Sequence, residues 1–134
     1  MTSFDPAVFR DPAVVGELFM IALRDPNENA NTLDFLVTPE SRPRWGYFEA
    51  AYRWTQGIEG LGWGNMPLPA VGDPDVVYMA VHSGVPEEGF TQEGDDIFLG
   101  PGVVTMVWRP EVDRWMVHDI GNYVRPEEVP RGPS

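Results

Sequence analysis

The segment from Val103 to Ile120 constrains the fold more than any other part of the chain. It holds two runs rich in β-branched and aromatic residues, Val-Val-Thr-Met-Val-Trp and Trp-Met-Val-His-Asp-Ile, on either side of a Pro-Glu-Val-Asp turn. Two such runs around a short turn are typical of an antiparallel hairpin. Helical patterns fill the first half of the chain. This order, helices followed by strands, therefore predicts an α+β domain in which N-terminal helices pack on a curved antiparallel β-sheet.

The turn between the two runs also predicts which residues of the hairpin face each other. With Pro110 opposite Asp113, one face carries the pairs Trp108–Trp115, Met106–Val117 and Val104–Asp119, and the other carries Arg109–Arg114, Val107–Met116, Thr105–His118 and Val103–Ile120. Both faces are largely apolar, so one packs on the helices and the other needs a different cover. A second subunit is the simplest cover, and we therefore expect a homodimer through the sheet.

Three helices are predicted before residue 57. Asp11-Pro12 is typical of a helix start, because Asp accepts bonds from free amides and Pro is tolerated at the first helical position. This helix is expected to run to about Arg24. The apolar spacing predicts a second helix over residues 31 to 37. A third is expected over residues 44 to 56, since Pro43 interrupts a longer one.

The second half of the chain predicts strands and loops. Residues 76 to 82, Val-Val-Tyr-Met-Ala-Val-His, predict a strand because they are β-branched, aromatic and uncharged. We expect a short, kinked strand within residues 58 to 63 and a loop from 66 to 74. A loop or ragged strand is expected from 83 to 94, and residues 96 to 99 begin another strand.

Length and composition predict one domain covering residues 1 to 134. A chain of 134 residues with 43% hydrophobic content can bury a single core. The Pro- and Glu-bearing residues 126 to 134 predict a loosely ordered tail. No signal-peptide pattern and no apolar run of bilayer length are visible, so we expect a cytoplasmic protein.

Charge and missing residue types exclude several classes of function. The net charge of −12 disfavours nucleic acids and anionic membranes, since both repel an acidic surface. The chain has no Cys, which excludes thiolate chemistry and disulfides. All nine basic residues are Arg, so a Schiff-base lysine and a Walker A loop are excluded as well.

The order of helices and strands resembles the NTF2-like (cystatin-like) superfamily, a cone-shaped α+β fold. The resemblance is carried by the amphipathic helix from Val14 to Leu23, the Leu33-Asp-Phe-Leu-Val-Thr-Pro-Glu-Ser segment and the closing Trp115-Met-Val-His-Asp-Ile-Gly strand. It covers residues 12 to 121. It implies a sheet curled around the helices, a pocket at the open end and frequently a homodimer. Functions in the superfamily range from isomerases and dehydratases to non-catalytic binding and immunity proteins, so the fold does not choose among them.

Four polar side chains on the predicted strands are the candidate ligand-binding residues: Tyr78, His82, Thr105 and His118. Histidine can act as a general base near neutral pH, and Tyr78 and His82 share one strand face. His118 and Asp119 point to opposite faces of a regular strand, which argues against a dyad unless a bulge intervenes. No histidine spacing typical of a metal site and no nucleotide-binding glycine loop is present, so we expect no metal and no cofactor.

The large number of aromatic residues favours a binding function. Aromatic and apolar side chains with a few polar groups are what small-molecule pockets are usually built from. We therefore expect a domain that binds a small apolar or aromatic molecule. Two alternatives stay open. One is a cofactor-independent isomerase or lyase using His82, His118 or Tyr78 in the pocket, and the other is an acidic protein-binding module of the immunity type.

Overall fold

The helices precede the sheet in a computed structural model that describes residues 6–64, 66–84, 90–93, 96–99 and 101–131. The α-helices of these ranges are α1 (Pro12–Ala22), α2 (Ala30–Leu36), α3 (Arg42–Trp45) and α4 (Glu49–Gln56), and short 3-10 helices cover Pro6–Arg10 and Pro126–Glu128. The strands are β1 (Gly62–Trp63), β2 (Leu68–Ala70), β3 (Asp73–His82), β4 (Phe90–Glu93), β5 (Asp96–Leu99), β6 (Gly102–Arg109) and β7 (Arg114–Gly121). The helices pack on a strongly curled antiparallel sheet, which confirms the α+β prediction.

Strand β3 is the centre of the main sheet. On one side it pairs with β6, and β6 pairs in turn with β7. On the other side β1 and β2 pair with different stretches of β3, so two short strands share its second edge. Strands β4 and β5 form a separate two-stranded hairpin. All of these pairings are antiparallel.

Buried side chains fill the space between the helices and the sheet. They come from α1, α2, β3, β6 and β7, and include Val15, Phe19, Leu33, Leu36, Val77, Met79, Val104, Met106 and Val117. Helix α1 approaches β3 closely at Gly16, where an added Cβ would lie 2.6 Å from the sulfur of Met79. The helix begins as predicted, because Asp11 Oδ1 accepts a hydrogen bond from the amide of Ala13 at 2.9 Å.

The opposite face of the sheet is covered by the C-terminal segment, residues 122–131. The hydroxyl of Tyr78 donates to the carbonyl of Val124 at 2.8 Å, and its ring centre lies 5.0 Å from that of Tyr123. Val129 is buried against the same face, and Arg131 forms a two-pronged ion pair with Asp73. The tail predicted from residue 126 therefore contacts the sheet as far as residue 131, while residues 132 to 134 lie outside the described ranges. The homodimer stays a prediction, but part of the face that motivated it is covered by the chain itself.

The third helix is not continuous, which corrects the prediction of one helix over residues 44 to 56. Pro43 lies inside α3, and the chain breaks later, between Trp45 and Glu49. Gly46 and Phe48 both adopt left-handed backbone angles, with φ of 58° and 64°. This conformation is unfavourable for a bulky residue such as Phe48, but its ring is buried and stacks on Trp45 at 5.3 Å. Tertiary packing therefore breaks the helix where the sequence pattern continues it.

Two predictions about the irregular second half also need correction. The expected loop from 66 to 74 contains β2, whose Leu68 and Pro69 pair with Tyr78 and Val77. Proline is tolerated there because β2 borders β3 on one side only. Strand β1 is limited to Gly62–Trp63, a fraction of the expected 58 to 63. The strand from residue 96 is confirmed, and Phe90–Glu93 pairs with it.

A salt bridge with a buried arginine connects the helical half of the chain to the sheet. The Arg109 side chain is fully buried at the end of β6, and its Nη atoms donate to both carboxylate oxygens of Glu40 at 2.6 and 3.0 Å. Its Nε donates to Glu111 in the hairpin turn at 2.7 Å. Bonds from Arg109 lower the pKa of Glu40 and of Glu111 below the usual range. Both carboxylates therefore stay charged against the guanidinium.

Two glutamates that pair with arginine in different settings, Glu40 and Glu49, provide a matched test of that salt bridge. We expect Glu40→Ala to lower the free energy of unfolding by on the order of 3 kcal/mol, because it leaves a buried guanidinium short of a partner. Glu49→Ala removes a carboxylate from the exposed pair with Arg53 and should change the free energy of unfolding by less than about 0.5 kcal/mol. Urea unfolding of both variants measures the difference. Equal losses would show that the Arg109 pair contributes no more than a surface pair.

A second test concerns the glycines beneath Trp54. A Cβ at Gly102 would lie 2.5 Å from the carbonyl oxygen of Gly121 and 2.7 Å from the Trp54 ring, whereas one at Gly62 would meet nothing within 4 Å. We expect Gly102→Ala to destabilise the fold by about 1–3 kcal/mol through overpacking. Gly62→Ala should stay within about 0.5 kcal/mol of wild type. Thermal and urea unfolding check both values, and similar stabilities would contradict the close packing of Trp54.

Candidate functional site

A β-bulge in β7 places His118 differently from the predicted register. The pairs Trp108–Trp115, Val107–Met116 and Met106–Val117 are confirmed, as is Arg109–Arg114. Beyond Met106 the register shifts by one residue, so that Thr105 pairs with Asp119, Val104 with Ile120 and Val103 with Gly121. The predicted pairs Thr105–His118, Val104–Asp119 and Val103–Ile120 are therefore wrong. His118 is the extra residue, and strict alternation does not hold through it.

The bulge lies against the loop between α2 and α3 and is fixed by a buried chain of hydrogen bonds. The amide of Thr38 donates to the carbonyl of Val117 at 2.9 Å, and His118 Nδ1 lies 3.2 Å from Thr38 Oγ1. Thr38 Oγ1 donates to Ser41 Oγ at 2.7 Å, and Ser41 Oγ donates to the Thr38 carbonyl at 3.0 Å. The His118 ring is thus linked through Nδ1 to the two hydroxyls of this loop.

His118 favours its neutral form. Burial lowers the pKa of His118, and the positive charge of Arg44 lowers it further, while Asp119 and Glu40 act in the opposite direction with smaller effect. Arg44 also holds the bulge directly, because its Nη2 donates to the His118 carbonyl at 2.7 Å. The bulged residue is thus a buried imidazole, with its pKa lowered, inside a packed polar network.

The four residues predicted from the sequence do not gather around one cavity. Tyr78 and Thr105 are cross-strand neighbours, and both are buried. The Tyr78 hydroxyl bonds to Val124, while Thr105 Oγ1 has no hydrogen-bond partner among the described residues. His118 bonds to Thr38, and His82 is exposed where β3 pairs with β1. The expected pocket beside these residues therefore receives no support from their positions.

Three of the clefts on the described surface are well defined, and none of these three is lined by the predicted site residues. The first, of about 640 Å³, is lined mainly by polar residues of the α1–α2 loop and α4, including Arg24, Asp25, Tyr52 and Arg53. The second, of about 370 Å³, is an apolar groove on α2. The third, also about 370 Å³, lies between α3, α4 and the end of β7, and we call it the tryptophan cleft. Its lining is Arg44, Trp45, Ala50, Ala51, Trp54, Asp119, Ile120, Gly121 and Asn122.

The two aromatic walls of the tryptophan cleft are held by their surroundings. The indole N–H of Trp45 donates to Ser41 Oγ at 2.8 Å, and its ring packs between Phe19 and Phe48 at 5.5 and 5.3 Å. Trp54 lies over the backbone of Gly102 and Gly121, as the contacts of an added Cβ at Gly102 show. Walls that are fixed before a ligand arrives lose little conformational entropy on binding.

Polar groups surround the aromatic part of the cleft. Arg44 and Asp119 both line it, and within the described ranges neither forms an ion pair. Asn122 adds an amide. The site therefore offers two flat apolar surfaces, a cationic donor and an anionic acceptor. Groups of this kind orient a small molecule, while the aromatic surfaces provide most of its contact area.

Sequence reasoning found the aromatic residues but not this site. The sequence pattern presents Trp45 and Trp54 as members of a large aromatic set and does not bring them together in one site. It predicts Asp119 beside His118 and opposite Val104, and it predicts Arg44 as the start of the third helix. A signal was present in the glycines that end the hairpin, because Gly102 and Gly121 leave room for a large ring on the backbone.

Comparison with known proteins adds no family assignment. The chain matches no protein-family model, and no curated protein or solved structure is similar to it. No helix in the ranges that the structure describes is long and apolar enough to cross a membrane. In the same ranges, no three His, Asp or Glu side chains come together as metal ligands would.

The neutral state of His118 predicts how stability depends on pH. Its pKa is lowered in the folded chain, so the unfolded chain takes up the proton first as the pH falls. The stability that the neutral ring contributes is complete above the ordinary pKa of about 6.5 and is lost as the pH falls below it. We expect the free energy of unfolding to decrease between about pH 7 and about pH 5.5, and His118→Asn to reduce that slope. Urea unfolding at both pH values measures it. An unchanged slope in His118→Asn would contradict the prediction.

Proposed function

We propose that this chain is a small-molecule-binding domain and that the tryptophan cleft is its binding site. The observation that carries the proposal is the pair of fixed indole walls, Trp45 and Trp54, beside the unpaired charges of Arg44 and Asp119. A volume of about 370 Å³ suits a single aromatic ring system with one or two polar groups. The cleft lies at the margin between helices and sheet, where α3, α4 and the end of β7 meet.

We further propose that the chain is a distant member of the NTF2-like superfamily. Helices before a curled antiparallel sheet, and a closing strand that begins at Trp115, support this assignment. A cleft at one end of the sheet between helices and the last strand is compatible with the open end of a cone. The isomerase or lyase alternative and the immunity-type alternative stay predictions. No arrangement of His82, His118 and Tyr78 around a common cleft favours the first of them.

The test is a titration of the protein with benzoate and with indole, followed by the backbone and indole N–H signals in ¹H–¹⁵N NMR spectra. We expect saturable shifts at the Trp54 indole and at residues 119 to 122, with Kd on the order of 1 mM, as is usual for ligands of this size. Trp54→Leu should weaken the binding of both ligands about tenfold. Trp63→Leu, which changes a partly buried tryptophan outside the cleft, should leave them unchanged.

Substitutions of the charged residues separate the aromatic from the polar contribution. Arg44→Gln should weaken the binding of benzoate about tenfold and leave the binding of indole unchanged, since only benzoate carries a negative charge. Asp119→Asn should not weaken the binding of benzoate, because the substitution removes a negative charge, the same sign as that of the benzoate carboxylate. Shifts scattered over the surface, or equal binding to the Trp54→Leu and wild-type proteins, would refute the tryptophan cleft as the site.

A further inference from the structure

Two arginines at one end of α2, Arg42 and Arg114, form no ion pair with a carboxylate of the described residues. Five of the nine arginines form ion pairs with carboxylates of the described residues. Neither Arg42 nor Arg114 does so within those ranges, although the chain carries 21 acidic residues. In a protein with a large excess of acidic residues, most arginines have a carboxylate within reach. Two neighbouring arginines without one therefore form a local positive region on an otherwise negative protein.

The two guanidinium groups meet neighbouring residues of α2. Arg42 Nη2 donates to the carbonyl of Asp34 at 2.7 Å, and the Arg114 Cζ lies 3.9 Å from the centre of the Phe35 ring. Burial lowers the pKa of Arg114, and the positive charge of Arg42 lowers it further. The two charges therefore lie close enough to affect each other. The fold therefore holds two like charges together at the C-terminal end of this helix.

One donor of this pair is left without a partner. Arg114 Nη1 is buried and makes no hydrogen bond to the described residues. A buried donor without a partner is unfavourable, and more so when it belongs to a charged group. Guanidinium groups present their N–H donors in a planar fork that matches the two oxygens of a carboxylate. A ligand carboxylate beside the exposed Arg42 and the Arg114 guanidinium would supply the missing negative charge.

An apolar groove begins at the same phenylalanine. It has a volume of about 370 Å³ and is lined by Phe9, Leu18, Asn31, Thr32, Phe35 and Leu36. Phe35 is shared: its ring lies beneath Arg114, and it is also part of the groove wall. The Phe9 ring packs against it at 5.3 Å, while 46% of Phe35 remains exposed. The apolar groove therefore ends beside the guanidinium groups of Arg42 and Arg114, which form no ion pair with the described residues.

We propose that this surface binds a small single-chain carboxylate amphiphile. Arg42 and Arg114 hold the carboxylate, and the hydrocarbon chain lies in the groove between Phe9, Leu18 and Phe35. The apolar lining argues against a free inorganic anion, which would gain nothing from it. The net charge of −12 argues against an anionic membrane surface. The site uses different residues from the tryptophan cleft and is independent of the function proposed there.

Isothermal titration calorimetry of the full chain with four probes tests the proposal. The probes are sodium octanoate, 1-octanol, sodium acetate and inorganic phosphate. We expect saturable binding of octanoate, with 1-octanol, acetate and phosphate each at least about tenfold weaker, because each lacks either the charge or the chain. Octanoate should shift the amide signals of residues 30 to 36 in NMR spectra. Arg44→Gln, a change in the tryptophan cleft, should leave octanoate binding unchanged.

Substitutions identify the residues that bind the carboxylate. Arg42→Gln and Arg114→Gln should each weaken octanoate about tenfold. Arg125→Gln removes the same charge from an exposed arginine elsewhere and should have no effect. Arg42 is exposed, so its variant should fold normally, as circular dichroism can check, even if the Arg114 variant does not. Equal binding of 1-octanol, equal binding of phosphate, or an equal loss in Arg125→Gln would each overturn the proposal.

Discussion

The buried guanidinium of Arg109 is the interaction on which the relation between helices and sheet depends. It lies at the end of β6 and binds Glu40, in the loop between α2 and α3, together with Glu111 in the hairpin turn. Burial opposes its charge, but the bonds to the two glutamates outweigh that effect and raise the pKa of Arg109. A charge inside a protein is tolerated only with well-placed partners. The loop must therefore stay beside the hairpin, and it runs along β7, where the Thr38 amide bonds to Val117.

The position of that loop determines the shape of the tryptophan cleft. Ser41 follows Glu40 directly and accepts the hydrogen bond from the Trp45 indole, which sets one wall. Phe48 follows the end of α3 in a left-handed conformation and stacks on Trp45, and α4 begins directly after it and carries Trp54, the second wall. The bulge at His118 shifts the end of β7 by one residue and aligns Asp119 with Thr105. The cleft is thus a consequence of contacts between segments that are distant in the chain.

The distribution of unpaired charge gives this acidic protein local cationic sites. Arg42 and Arg44 on α3, and Arg114 at the start of β7, form no ion pairs within the described part of the chain, while most of the other arginines are paired. Each of the three contacts a backbone carbonyl or an aromatic ring instead. Such contacts hold a guanidinium in place without neutralising it. These guanidinium groups therefore give the region around α3 a local attraction for anions within an acidic protein.

The sequence by itself determined the fold class, the order of elements and most of the hairpin. Local patterns are sufficient for these features, because β-branched runs such as residues 103 to 107 and the capped start of α1 depend on near neighbours. The four pairs from Arg109–Arg114 to Met106–Val117 followed from the turn alone. Tertiary structure decided the bulge at His118, the break before α4 and the location of the cleft. These depend on energies of burial and pairing between residues far apart in the chain, such as Thr38 with His118 and Trp54 with Gly102, which no local pattern encodes.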